Sequence, residues 1–392
     1  MNRDDWGPAT RLVRGGLARS AHGEIAEALY LTQSFAYESA EAADARFSGD
    51  APGFIYARYA NPTVRMFEQR LALLEGAEAC LATASGMAAV HLALMGLLKA
   101  GDHVIAGRAL FGSCRWLLNS WAPRFGIEAT LVDAPDIAAW RAAVRPNTRV
   151  FFLESPANPL LEMCDIAAIA AIAGDAGAKV IVDNVFATPL FQSPLKLGAD
   201  IVVYSATKHI DGQGRVLGGA ILGAAALLEE AYKDMMRHTG PALSAFNAWL
   251  LLKGLETLAL RVTAQSATAA HLADRVADHK KVIACRYPTR ADHPQHAIAA
   301  KQMSGGGSLV AFDLGSQGAA FRFLNALELI DISNNLGDAK SMATHPTTTT
   351  HRSMSEAQRA EIGLTPGWVR LSVGLEDERD LAADIDRALA AA

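Results

Sequence analysis

The chain has 392 residues, of which 51% are hydrophobic and 20% charged, a globular balance with room for two domains or one large domain with an appendage. Its net charge of -5 leaves no electrostatic footprint for nucleic acid or an anionic membrane, and no apolar run reaches spanning length unbroken. The opening MNRDDWGPATRLVRGG holds no apolar core of signal-peptide length, and Cys80, Cys114, Cys164 and Cys285 are scattered without metal or redox spacing. A cytoplasmic protein that binds neither membrane nor nucleic acid is the expectation.

Residues 1 to 60 lack clear periodicity and are expected to form an extended arm rather than a packed layer. At the end of this arm Tyr56 and Arg58 stand two apart, which in extended chain puts both side chains on one face. There they could grip a phosphate together, or simply pack as a surface arginine on a tyrosine. Asn61 and Pro62 then form a helix start, with Phe67, Leu71 and Leu74 at core spacing and Gly76 as the stop. In the next segment Ser85, Gly86 and Met87 open an apolar helix. Their free amides could hold an anion, although small residues at a helix start also serve as a plain cap.

From residue 103 to 223 the pattern alternates. Strand-like runs at 103–106, 129–132, 150–153, 179–182, 201–204 and 219–222 are separated by helical runs that include 137–143 and 166–173. This predicts a mostly parallel sheet with its ligand at the strand C-terminal ends. The polar residues fall there: Glu154 to Asn158, Asp183 and Asn184, and Ser205 to Lys208, with Phe111 in the loop after the run at 103–106. No nucleotide-binding glycine fingerprint or Walker lysine appears.

The stretch ADIVVYSATKHIDGQGRVLGGAIL at 199–222 carries the sharpest signal. A lysine, Lys208, stands at the mouth of a buried strand beside Ser205 and Thr207. Burying an ammonium is costly unless it is paired or made neutral, and a Schiff base with an aldehyde cofactor makes it neutral. The alternative is a lysine that snorkels to water.

Beyond this stretch, residues 246–269 carry one long helical pattern linking to a less regular C-terminal part. That part has strands near 308–314 and 368–373, a helix near 318–327 and a terminal helix over 377–391. His293 and His296 have no third partner at metal spacing, so no metal is expected. His345 and His351 flank a polar loop and are read as structural, with the loop itself a candidate border of the substrate site, and the two-residue strand period turns His209 away from the site.

The motifs YARYANPT at 56–63, ATASGMAAV at 82–90, ESPANP at 154–159, VDN at 182–184, YSATKHIDGQG at 204–214 and VRLSVGLED at 369–377 occur in an order that resembles the Cys/Met-metabolism family of pyridoxal-5'-phosphate (PLP) enzymes. The resemblance spans nearly the whole chain. It implies an α/β chain of PLP-dependent fold type I, with a mostly parallel central sheet flanked by helices. The expected parts are an N-terminal arm (1–60), a PLP-binding α/β domain (61–250) and a smaller α+β domain with its linking helix (251–392). The resemblance also implies roles. Lys208 would carry the Schiff base and shuttle protons, and Asp183 would pair with the pyridine nitrogen. Gly86, Met87, Ser85, Ser205 and Thr207 would hold the phosphate, completed by Tyr56 and Arg58 from a neighbouring subunit. Phe111 would stack on the ring, Asn158 would reach its phenolate oxygen, and Arg370 would clamp the substrate carboxylate.

Segments 110–114, 240–258 and 334–341 are similar to the branch that replaces the acyl group of an O-acylated homoserine, succinyl first, with sulfide to give homocysteine for methionine biosynthesis. O-acetylhomoserine sulfhydrylation, cystathionine γ-synthesis and C–S bond lysis are the alternatives within the family. A cofactor-binding protein without activity is a further alternative that the intact Lys208, Asp183 and Arg370 speak against. The chain departs from many relatives at Phe111, where they carry tyrosine, which counts against a lyase that needs the phenol. It departs again at Asn334 and Asn335, where neither side chain takes a proton; Asn335 would act on substrate through hydrogen bonds. A homo-oligomer, at least a dimer and a tetramer by resemblance, follows from the shared site.

Overall fold

The computed structural model describes residues 6–392. Seven strands form the larger sheet: β1 (Ala79–Thr83), β2 (His103–Gly107), β3 (Glu128–Val132), β4 (Thr148–Glu154), β5 (Lys179–Asp183), β6 (Ile201–Ser205) and β7 (Gly219–Gly223). Their order is β1-β7-β6-β5-β4-β2-β3. Strands β2 to β6 pair in parallel, and β7 runs antiparallel to both β1 and β6. The sheet is apolar on both faces because helices cover both. Val202 and Tyr204 pack on one side with Phe67, Leu71 and Leu255, while Ile201 and Val203 pack on the other with Val90 and Leu92.

The smaller sheet, β10-β11-β12-β9-β8, consists of β8 (Ala284–Arg286), β9 (Leu309–Asp313), β10 (Asp331–Ile332), β11 (Met342–Thr344) and β12 (Trp368–Ser372). Helices Leu258–Ala277, Gln317–Asn325 and Glu378–Ala391 close its core through Leu272, Phe323 and Ile385. No helix among the described residues is long and apolar enough to cross a membrane.

All six strand-like runs of 103–222 are strands, and Asn61 caps helix Pro62–Glu75 as expected, its side chain accepting from the Thr63 and Val64 amides. Four expectations need correction. The arm, whose first five residues lie outside the described residues, is not wholly extended: Pro8–Arg14 and Ala40–Ser48 are helical, and Leu12 is buried against the core. Tyr56 and Arg58 do not share an extended face, since Tyr59 and Ala60 donate back to the Tyr56 carbonyl in a turn. The long pattern at 246–269 is two helices, Ala245–Glu256 and Leu258–Ala277, broken at Thr257. Finally, β1 was not anticipated.

The expected boundary at 250 falls inside Ala245–Glu256, whose Leu251, Leu252 and Leu255 pack in the larger core together with Leu258 and Val262.

Candidate active site

The C-terminal ends of β4, β5 and β6 open onto one cavity of about 280 Å³. It is lined by Ser85, Gly86, Met87, Phe111, Asn158, Asp183, Ser205, Thr207, Lys208 and Arg370. Ten of the thirteen residues singled out from the sequence therefore line this one cavity.

One wall is an anion cradle. Ser85 caps helix Gly86–Met95, its hydroxyl accepting the Ala88 amide at 3.1 Å. The helix start, with its positive dipole end, then lies against the end of β6. A Cβ at Gly86 would stand 2.5 Å from Ser205 Cβ, so only glycine lets the helix start and the strand end come this close. Thr207 Oγ1 is engaged with the Gly218 backbone, accepting its amide at 3.1 Å, which fixes the loop that carries Lys208.

Lys208 Nζ donates to Asn335 Oδ1 at 2.5 Å. Burial first, and the positive charge of Arg370 second, push its pKa down to about 8. Asp183 ends β5, and its Oδ1 accepts the Val185 amide at 3.1 Å. Burial raises this carboxyl to about 6. A cationic ring nitrogen beside it would favour the ionised form.

The opposite wall joins two loops and a strand of the smaller sheet. Arg370, in the middle of β12 and 1% exposed, donates through Nη1 to Asn158 Oδ1 at 2.8 Å and through Nη2 to the Asn334 carbonyl at 2.9 Å. Because the arginine fixes Oδ1 as acceptor, the Asn158 Nδ2 remains a donor. Arg370 Nε is buried without a partner among the described residues, a donor left for a carboxylate.

Pyridoxal phosphate fits this set. The helix start would meet an anionic phosphate, Asp183 a ring nitrogen and Asn158 Nδ2 a phenolate oxygen. Phe111 offers an aromatic face and Lys208 an amine.

Two expected residues lie elsewhere within the chain. Tyr56 and Arg58 line a separate open groove with Leu31, Thr32, Gln33 and residues 242–245. The Arg58 guanidinium sits over the Tyr56 and Tyr59 rings at 5.4 and 5.0 Å. Asn335 contributes through its contact with Lys208, and it is Asn334 and Leu336 that line the cavity.

His209 does turn away, its Nε2 meeting Ser308 Oγ at 2.8 Å, although a turn rather than a strand carries it. His293 Nε2 donates to the Leu161 carbonyl at 3.1 Å, and no cluster able to hold a metal occurs among the described residues. All four cysteines are buried and free, and Cys114 reaches the cavity.

Sequence reasoning gave no role to Glu154 or Leu336 and named only the loop that carries Thr350 as a border of the substrate site; all three line the cavity. Only the position of Glu154 at a strand end hinted at it.

A family model described as Cys/Met metabolism PLP-dependent enzyme matches residues 9–390. The chain is 54% identical over 391 residues to the O-succinylhomoserine sulfhydrylase of Mycobacterium tuberculosis, covering 98% of this chain and 96% of that one. It is 49% identical to the O-succinylhomoserine sulfhydrylase of Pseudomonas aeruginosa (97% and 95% covered) and 44% identical to the L-methionine gamma-lyase of Pseudomonas putida (98% of both). Among solved structures, a candidate O-acetylhomoserine (thiol)-lyase from Campylobacter jejuni carrying an N'-pyridoxyl-lysine-5'-monophosphate superposes with a TM-score of 0.95. It is 32% identical, with 98% of this chain and 100% of that chain covered. With the lysine, the carboxylate and the anion cradle in one cavity, this chain belongs to the Cys/Met metabolism family of PLP-dependent enzymes, on the fold type I scaffold.

Proposed function

We propose that the chain catalyses γ-replacement on O-succinylhomoserine: sulfide bonds to Cγ, succinate leaves, and homocysteine is formed for methionine biosynthesis. The observation that carries this reading is the convergence of Lys208, Asp183 and Arg370 on one cavity, in a chain whose sulfhydrylase relatives align over nearly its whole length. When bound, pyridoxal phosphate supplies an electron sink for negative charge that develops on the substrate.

The chain's own residues do the rest. Arg370 receives the substrate α-carboxylate, with Nε as its free donor and Nη1 and Nη2 already anchored. This anchoring orients Cα toward Lys208. Lys208, with its amine near pKa 8, would take a proton from Cα and move a proton at Cβ close to neutral pH, while Cγ exchanges succinate for sulfide. Asp183 would accept a hydrogen bond from the protonated ring nitrogen and so keep the proton there. Ser85, Gly86, Met87, Ser205 and Thr207 would hold the phosphate, Phe111 would cover the ring, and Asn335 steers the lysine.

A sulfide-dependent assay on succinyl-, acetyl- and phosphohomoserine, read by product mass, tests the reading. Homocysteine from the succinyl ester above the others supports it. Cleavage of methionine or cystathionine with no turnover of any ester overturns it. A C–S lyase is the second reading, favoured by the methionine gamma-lyase relative. Phe111, which has no hydroxyl to act as acid or base, speaks against it. Release of 2-oxobutyrate without added nucleophile would identify it.

Assembly and setting belong to the same proposal. Tyr56 and Arg58 lie outside their own chain's cavity and are assigned to a partner's phosphate, making the protein at least a dimer and, by resemblance, a tetramer. The four buried, unpaired thiols suit a reducing cytoplasm. The chain is divided into the arm, the larger α/β body and the smaller α+β body, with the linking helices between the last two.

A further inference from the structure

Glu154 ends β4 directly beside Asp183 in the parallel register of β4 and β5, and it is 6% exposed. A buried carboxylate ordinarily sits on a cation, yet no lysine or arginine lies within ion-pair distance of this one among the described residues. Its partners are two backbone amides. Oε2 accepts the Phe111 N–H at 2.8 Å and Oε1 accepts the Asn158 N–H at 2.8 Å.

Those two residues stand on different loops, one after β2 and the other after β4. One side chain thus ties together the aromatic wall of the cavity and the amide wall. The second wall is in turn tied to the substrate side, because Asn158 Oδ1 accepts from Arg370. The continuous path runs Phe111, Glu154, Asn158, Arg370.

From this geometry we infer that Glu154 is the positioning residue of the site: its two oxygens set the separation of the Phe111 and Asn158 walls between which the cofactor ring lies, and couple that slot to the Arg370 clamp. The inference rests on the PLP reading of the cavity. Glu154 need not touch the cofactor. It acts through the two amides, and a carboxylate is suited to this because charge-assisted bonds to N–H groups are short and directional. Preorganised walls spare the protein the ordering cost when the ring enters. Burial drives the Glu154 carboxyl upward and the neighbouring Asp183 adds to the rise, while the two amides and the Arg370 charge pull against it.

Two variants separate reach from charge. Glu154→Gln keeps the shape, but its Nε2 is a donor facing one of the two amide donors, so one wall is released. Glu154→Asp keeps the charge and falls one methylene short of spanning both amides. The measurements are the Kd of apo-protein for pyridoxal phosphate, the KM for the amino-acid substrate, and hydrogen exchange at the Phe111 and Asn158 amides.

The expected result is a Kd raised about 10- to 100-fold in Glu154→Gln, the size expected for losing a charge-assisted hydrogen bond. The KM should rise as well, and exchange should be faster at those two amides than at other buried ones. Glu154→Asp should show the same pattern to a smaller degree. Wild-type Kd and wild-type exchange in Glu154→Gln would overturn the inference. So would a Glu154→Asp protein indistinguishable from wild type beside an impaired Glu154→Gln, since charge alone would then suffice.

The wild-type protein gives a check free of folding defects: its apo form must protect the Phe111 and Asn158 amides, and free exchange there overturns the clamp. If the wild type bound no pyridoxal phosphate at all, the PLP reading would fail, a result separate from the amide exchange.

Discussion

Arg370 Nη1 and Asn158 Oδ1 meet at 2.8 Å across 212 residues of sequence, bringing a strand of the smaller sheet onto a loop of the larger one. The same guanidinium donates to the Asn334 carbonyl and keeps Nε free, so three directions of its planar fork are used. Lysine offers a point charge and cannot reproduce them. Arg370→Lys should lower kcat/KM for the amino-acid substrate by about 10- to 100-fold, mainly through KM, from the loss of a charge-assisted contact and of the anchoring that aims it. Cofactor absorbance should persist. Steady-state kinetics on the succinyl ester checks this, and an unchanged KM would contradict the clamp.

Lys208 yields a pH prediction. Its amine is held near pKa 8 by burial and then by Arg370, well below the ordinary 10.5. The neutral amine is the nucleophile, so capture of the cofactor aldehyde should rise with pH through a midpoint near 8. Removing the nearby positive charge with Arg370→Gln should move that midpoint upward. The readout is borohydride trapping across a pH series, followed by peptide mapping. The label must fall on Lys208, and a midpoint above 10 would remove the electrostatic argument. Lys208→Ala should take no label and show no turnover.

The reach of the sequence follows from where each signal lives. β4, β5 and β6 were legible because strands buried on both faces read as unbroken apolar runs, and Asp183 and Lys208 follow them directly. β1, with the sequence ACLAT, lacks the β-branched residues that mark a strand and is held by pairing with β7. The break at Thr257 is invisible because both flanks favour helix; the start of the second helix still shares the larger core, and only its later part, from Ala269 to Val276, turns to the smaller one. Glu154 was seen only as a polar strand end. Its role depends on an amide 43 residues away, and local spacing does not encode that contact.

Beneath the cavity floor, Tyr204 Oη donates to Glu75 Oε2 at 2.5 Å, while Glu75 Oε1 is buried without a partner among the described residues. Burial outweighs the tyrosine bond and lifts the Glu75 carboxyl from the ordinary 4.5 to about 8. Between those values the unfolded chain has released this proton and the folded protein keeps it, so the group's contribution to stability falls as pH rises. Glu75→Gln removes the titration. Its unfolding free energy relative to wild type should therefore climb from pH 4.5 to 8, as measured by urea unfolding at several pH values. A pH-independent difference would mean that Glu75 does not hold its proton.

The groove that carries Tyr56 and Arg58 is separate from the cavity, and the arm around it exposes Ile25, Leu31 and Phe47 as well as Tyr56 and Tyr59. Apolar side chains in that number on one segment suit burial against a second copy of the chain. Arg58 rests on tyrosine rings rather than on a carboxylate, so its charge is available for a phosphate across the interface. Arg58→Ala should weaken cofactor retention, and Lys208→Ala should be inactive. Mixing the two and allowing subunits to exchange should restore activity, because one hybrid site then receives an intact Arg58 from one chain and an intact Lys208 from the other. With random pairing of dimers, about half of the molecules are hybrids and each holds one complete site, so recovery should approach about a quarter of the wild-type rate per site. Mass measurement of the mixed dimer confirms exchange. Confirmed exchange with no recovered turnover would place Arg58 outside the partner's phosphate site.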